Sequence, residues 1–129
     1  MNKPYVWIVD DDDIYQYTIT KTLEIENVTH DVQVFSDGET ALESLQELAG
    51  TGSGLPDFIL LDLNMPIMDG WQFLDEYQNF PDIDTIKLFV VTSSVSEADQ
   101  EKVKSYPSVQ DYVVKPVDIK ALKQLLAAS

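Results

Sequence analysis

The chain has 129 residues, 44% of them apolar and 24% charged, a length that fits one domain and a composition ordinary for a soluble globular protein. Eight lysines and no arginine face 23 acids, for a net charge of −15 and a pI near 4.1, which argues against electrostatic binding to nucleic acid or anionic membrane. With no cysteine in the chain, disulfides, thiolate metal sites and cysteine nucleophiles are excluded.

The start MNKPYVWIVDDDD is not a signal peptide, and no apolar run approaches the ~18 residues of a membrane span. A cytoplasmic location without membrane association is the expectation. Tyr5–Val9 (YVWIV) is short, apolar and rich in β-branched and aromatic residues, the signature of a strand. The acidic run Asp10–Asp13 follows, with Asp12 or Asp13 placed to cap a helix over Ile14–Glu26. In that helix Tyr15, Ile19 and Leu23 fall at i, i+4 and i+8, on one face. Val32–Phe35 reads as a second strand, and Asp37–Leu48 as a helix with Ala41, Leu45 and Leu48 on one face and Asp37 or Ser36 as its cap. Ala49–Pro56 (AGTGSGLP) is a flexible loop.

Phe58–Leu61 is the third strand, continuously apolar as a strand covered on both faces should be. Trp71–Tyr77 offers Phe73, Leu74 and Tyr77 to a core, and Asn79–Asp84 (NFPDID) breaks the chain before the strand Leu88–Val91. Ser96–Tyr106 opens with S-x-x-D, a start like a capping box, but is poor in apolar residues. Tyr112–Val114 is the fifth strand, and Pro116 precedes a last helix carrying Ile119, Leu122 and Leu126. Five strands alternating with five helices imply right-handed crossovers and an α/β fold, a doubly wound (βα)5 sandwich whose five-stranded parallel sheet has helices on both faces. One domain over 1–129, with its core at about 5–127 and no output domain, is the expected organisation.

Ligands of an open parallel sheet bind beyond the carboxyl ends of its strands. Asp10 and Asp11 follow the first strand, Asp62 the third, Thr92 the fourth and Lys115 the fifth. An aspartate after a strand is ordinary turn chemistry, and Asp12 and Asp13 are read as capping or solvation. Three carboxylates on one rim would repel, however, and raise the pKa of at least one. A hard divalent cation relieves this. Mg²⁺ takes one or two carboxylates, keeps waters and leaves room for phosphate oxygens. The ammonium of Lys115 and the hydroxyl of Thr92 suit a phosphoryl group, and an aspartate can accept one as nucleophile. The chemistry points to a phosphoryl site.

At these residues the sequence resembles a family. IVDDD at 8–12, LLDLNMPIMDG at 60–70, VVTSS at 90–94 and YVVKP at 112–116 are similar to the marker motifs of response-regulator receiver domains, in order and over essentially the whole chain. The resemblance implies a flavodoxin-like sheet of order 2-1-3-4-5 and a stand-alone, phosphorylation-controlled switch. It implies Asp62 as phosphoacceptor, with Mg²⁺ (or Mn²⁺) held directly by Asp11, through water by Asp10, and by the main-chain carbonyl of Asn64. Thr92 would be the switch hydroxyl, Lys115 the lysine at the phosphoryl group and Tyr112 the switch aromatic, with a cis peptide at Lys115–Pro116. The implied phosphodonor is a sensor histidine kinase or a histidine phosphotransfer protein, and the output a protein contact through the fourth helix, fifth strand and fifth helix. Such a domain assists its own phosphorylation and hydrolysis without being a conventional enzyme. The loop AGTGSGLP is longer than typical, and SYPSVQ at 105–110 replaces the usual approach to strand five.

Rival chemistries fit less well. D-x-D-x-[DN]-G fails from Asp11, because Tyr15 and Gln16 occupy its last two places. An aspartate-nucleophile phosphatase would carry a second aspartate where Asn64 stands. A flavodoxin would need a Ser/Thr/Gly-rich phosphate loop after strand one, where four aspartates stand. His30, the sole histidine, lies beside a strand and reads as surface. A phosphorylation-independent interaction module (a pseudo-receiver) is the alternative; it typically lacks an acid or the lysine.

Overall fold

The computed structural model describes residues 3–49, 51, 53–81 and 83–128. Along the chain run β1 (Tyr5–Val9), α1 (Asp13–Ile25), β2 (Asp31–Phe35), α2 (Gly38–Leu48), β3 (Phe58–Leu61) and α3 (Gly70–Tyr77). A 3₁₀ turn at Ile83–Thr85, β4 (Lys87–Thr92), α4 (Glu97–Val103), β5 (Val109–Val114) and α5 (Ile119–Ala128) follow. All pairings are parallel and the strand order is β2-β1-β3-β4-β5, the order that the resemblance implies. Lys115–Pro116 is cis.

Side chains alternate across a strand, and that alternation builds two cores. Trp7, Val9, Ile59, Leu61, Leu88 and Val90 face α2 and α3 with Leu45, Phe73 and Tyr77. Val6, Ile8, Phe58, Leu60, Phe89 and Val91 face α1 and α5 with Ile19, Leu23, Leu122 and Leu126. β3 is buried at every position, so its continuous apolar run serves both layers. Each such side chain contributes about 1.5–3 kcal/mol through burial. Among the described residues no helix is long and apolar enough to cross a membrane.

Local chemistry sets the helix starts. Asp12, rather than Asp13, caps α1, its Oδ1 accepting from the N–H groups of Ile14 and Tyr15 at 3.0 and 3.2 Å. Asp37 caps α2 through the N–H of Thr40 at 2.8 Å. α3 opens on a full capping box between Asp69 and Gln72, a signal the sequence reading passed over. α4 has half of one. Ser96 accepts from the N–H of Asp99, but the Asp99 carboxylate takes the Ser94 hydroxyl at 2.6 Å instead of turning back.

Strand and helix ends shift by a residue in several places, so that Thr92, expected after the fourth strand, is the last residue of β4 because it still pairs with Val114, and three stretches differ more. β5 begins at Val109, three residues before the apolar run Tyr112–Val114, because an edge strand tolerates polar residues such as the exposed Gln110 and Asp111. α4 ends at Val103, not Tyr106, since Lys104–Tyr106 close in tight turns. The break at 79–84 contains the 3₁₀ turn, while Asp82 within it, and Gly50 and Gly52 of the loop 49–56, lie outside the described residues.

Candidate functional site

The ladders run one residue past β1, β3 and β5, while Thr92 is the last residue of β4, and this brings the expected residues to one rim. The N–H of Asp10 donates to Phe35, that of Asp62 to Val9 and that of Lys115 to Thr92, at 2.9, 2.9 and 2.8 Å. Asp10, Asp62 and Thr92 are the buried polar residues here, at 1%, 6% and 0% exposure, while Asp11 is exposed. Carboxylate oxygens of Asp10, Asp11 and Asp62 lie within 4.8 Å of one another. Gly70 makes this packing possible: a Cβ there would sit 2.6 Å from the Asp62 carbonyl oxygen and the Leu63 Cα.

One ammonium answers three carboxylates. Lys115 Nζ donates to Asp10 Oδ2 at 2.6 Å and stands 3.6 Å from Asp62 Oδ2. Burial pushes the Asp10 carboxyl above the ordinary range; the Lys115 hydrogen bond and the N–H of Asp12 (2.9 Å to Oδ1) oppose this, and the Asp62 charge adds to it. Asp62 Oδ1 accepts from the N–H of Asn64 at 3.3 Å, which keeps Asn64, an exposed loop residue, beside the cluster. The uncompensated negative charge and the all-oxygen donor set fit a hard divalent cation.

Thr92 Oγ1 accepts from the N–H of Ser94 at 3.4 Å, and the hydroxyl of the half-buried Tyr112 donates to the Ser94 carbonyl at 3.0 Å. Ser94 thereby links the two expected switch residues, and its own hydroxyl reaches α4 through Asp99. The sequence reading placed Ser94 only within the motif VVTSS and Asp99 only in the S-x-x-D start of α4, and assigned neither a part in the switch.

Two further neighbours of the rim were missed. The Tyr15 ring stands under Lys115, with Nζ 4.1 Å from its centroid, although its spacing had marked it only as part of an apolar helix face. Gln16 donates its amide to the Asp10 carbonyl and, at 3.2 Å, to Ser36 Oγ, so α1 is tied to the end of β1. Away from the rim, Trp71 of α3 packs on Tyr106 at 5.9 Å and takes Lys102 over its ring at 4.4 Å, while the Tyr106 hydroxyl donates to Asp75 at 2.7 Å. These contacts hold the carboxyl end of α4 against α3.

Comparison with known proteins shows the family. Residues 6–127 match the response regulator receiver domain family. Response regulator Rcp1 of Synechocystis sp. is 30% identical over 123 residues, covering 94% of this chain and 82% of Rcp1. A crystal structure of the Mn(2+)-bound form of response regulator Rcp1 superposes with a TM-score of 0.77 at 28% identity, over 97% of this chain and 90% of that one. A two-component response regulator from Cytophaga hutchinsonii gives a TM-score of 0.87 at 28% identity over 98% and 97% of the two chains. The phosphorylated cyanobacterial phytochrome response regulator RcpA gives 0.80 at 27% identity over 98% and 91%. The likeness covers nearly the whole chain in sequence and in fold, and the chain belongs to the response regulator receiver domain family of two-component signalling.

Proposed function

We propose that the chain is a phosphoacceptor receiver in which Asp62 takes a phosphoryl group from a phosphohistidine. The observation that carries this reading is the Asp10–Asp11–Asp62 cluster with Lys115 set against it. An Asp62 carboxylate oxygen attacks phosphorus while the P–N bond breaks, its electron pair leaving on the imidazole nitrogen. The product is an aspartyl phosphate, which water later hydrolyses. Asp10, Asp11, Asp62 and the Asn64 main-chain carbonyl would hold Mg²⁺ or Mn²⁺, which when bound neutralises charge on the phosphoryl oxygens. The Mn(2+)-bound form of Rcp1 and the phosphorylated form of RcpA support both parts of this assignment.

The chain's own groups do the remaining work. Lys115, already 3.6 Å from Asp62, shifts from Asp10 to a phosphoryl oxygen. The Thr92 hydroxyl turns to the same group and leaves the Ser94 N–H, which releases the loop that Tyr112 holds through the Ser94 carbonyl. α4 is the element free to respond, for Val103 is its one buried residue, and a weakly packed helix reorients at small cost. Output then passes through the α4–β5–α5 face to a protein partner. The phosphodonor is a sensor histidine kinase or a phosphotransfer protein in the cytoplasm. The chain works as a receiver domain and makes no contact with nucleic acid. Like its family it is a regulator, assisting only its own modification.

Incubation with acetyl phosphate and Mg²⁺, followed by intact-mass measurement, tests the reading. Wild type should gain one phosphoryl group and Asp62→Asn none. A phosphate that persists in the variant would place the acceptor elsewhere.

A further inference from the structure

Tyr15 is clamped from two sides. Its N–H donates to the Asp12 cap at 3.2 Å, which fixes it in the first turn of α1. Its ring packs on the core between α1, α5 and the sheet. The remaining ring face meets the Lys115 ammonium at 4.1 Å, inside the range of a cation–π contact. Its hydroxyl is buried and, among the described residues, has no hydrogen-bond partner. Burial first, then the charges of Asp10 and Asp62, push that phenol far above its usual range, so the ring stays neutral and adds no further anion to the rim.

We propose that Tyr15 is a positioning residue of the phosphoryl site, its ring holding the Lys115 ammonium at the rim within reach of both Asp10 and Asp62. This rests on the phosphoacceptor reading of Asp62. A lysine side chain carries some of the largest rotamer entropy of any residue, and the Lys115 side chain retains 17% exposure, so water competes for the ammonium. The carboxylates alone do not restrict it to the position from which a phosphoryl oxygen on Asp62 can be met. The ring closes the solvent-facing alternative and contributes attraction that salt and water screen weakly. Tyr15 acts through Lys115 and makes no contact with the phosphoryl group.

The test is the rate of phosphorylation by acetyl phosphate with Mg²⁺, followed by intact mass, in Tyr15→Phe and Tyr15→Leu. Each is made alone and combined with Lys115→Met, with melting temperatures taken alongside. Tyr15→Leu should be slower by about 2- to 30-fold, the span of a cation–π contact, and Tyr15→Phe, which keeps the ring, within about 2-fold of wild type. In the Lys115→Met background Tyr15→Leu should cost nothing more, because the group it acts through is gone. Should Tyr15→Leu not fold, Tyr15→Met, an adaptable apolar replacement, takes its place. A wild-type rate in the Leu variant, an undiminished deficit beside Lys115→Met, or a Phe variant as slow as Leu would each overturn the proposal. In all three cases phosphorylation of Asp62 itself would still stand. A wild-type chain that takes no phosphoryl group would refute the reading of Asp62 and this proposal with it.

Discussion

Asp11 is the member of the acidic cluster that can be changed without disturbing the core, since Asp10 and Asp62 are buried and Asp11 is exposed. Asp11→Asn removes one charge at nearly constant volume and should act with opposite sign in two conditions. Without metal, each carboxylate pair within 4.8 Å repels by about 0.9 kcal/mol at the dielectric constant of water, the limit suited to an exposed group. Asp11 faces two partners, and the single charge of Lys115, bound to Asp10, cancels about one of them. The net relief on substitution is therefore about 1 kcal/mol, or roughly 3–5 °C in melting temperature for a domain of this size. With metal the sign reverses. A cation bound only to the folded rim stabilises wild type by about 2.7 kcal/mol at 100 times its dissociation constant, roughly 8–13 °C. The variant, short of one ligand, should lose most of that rise. Melting curves of both proteins in EDTA and in saturating Mg²⁺ measure the two differences. If Asp11→Asn melts below wild type in EDTA and still gains the full metal increment, the electrostatic account of the rim is wrong and Asp11 is not a ligand.

Gly70→Ala places a methyl group 2.6 Å from the Asp62 carbonyl and the Leu63 Cα, backbone that cannot step aside. It should cost about 1–3 kcal/mol in a chemical melt and, by displacing Asp62, slow phosphorylation by acetyl phosphate about 10-fold or more. An unchanged rate would mean that the loop after β3 relaxes freely. Tyr106→Phe deletes the 2.7 Å bond to Asp75 and should lose about 1 kcal/mol near pH 8, read as a lower urea midpoint. That bond, and burial after it, push the Tyr106 phenol up to about 12, above the ~10 of an unfolded tyrosine. The folded state thus favours the protonated phenol, so its contribution is whole below about pH 10 and fades as pH rises to about 12. The gap between wild type and Tyr106→Phe should close over that interval, and a gap that widens would refute the assignment.

Much of the site was legible because its signals are local. Asp10, Asp62, Thr92 and Lys115 each stand at the carboxyl end of an apolar run, and parallel pairing leaves such ends no choice but a common rim. The helix caps at Asp12 and Asp37 were legible for a like reason, since a cap needs only a short oxygen-bearing side chain and a free N–H two or three residues on. The strand order and the cis peptide came from resemblance to the family, and the structure agrees with both.

What escaped was set by contacts distant in the chain. Val109 and Asp111 pair with β4 across a register shift that skips Gln110, because a ladder at a sheet edge asks for backbone partners and leaves polar side chains such as Gln110 and Asp111 in water. The S-x-x-D start of α4 formed only half a capping box because Ser94 was a competing donor for Asp99. Tyr15 meets Lys115 across a hundred residues of chain, and Trp71 meets Lys102 and Tyr106 across the gap between α3 and α4. The alternation of apolar runs and the residues at their ends, both properties of short stretches, by themselves determined the layered α/β sheet and the gathering of Asp10, Asp11, Asp62, Thr92 and Lys115 on its carboxyl edge. Only the tertiary structure decided which acid Lys115 holds, that an aromatic ring lies beneath it, and how α4 is tethered, because those depend on side-chain distances that arise once the two cores have closed around the sheet.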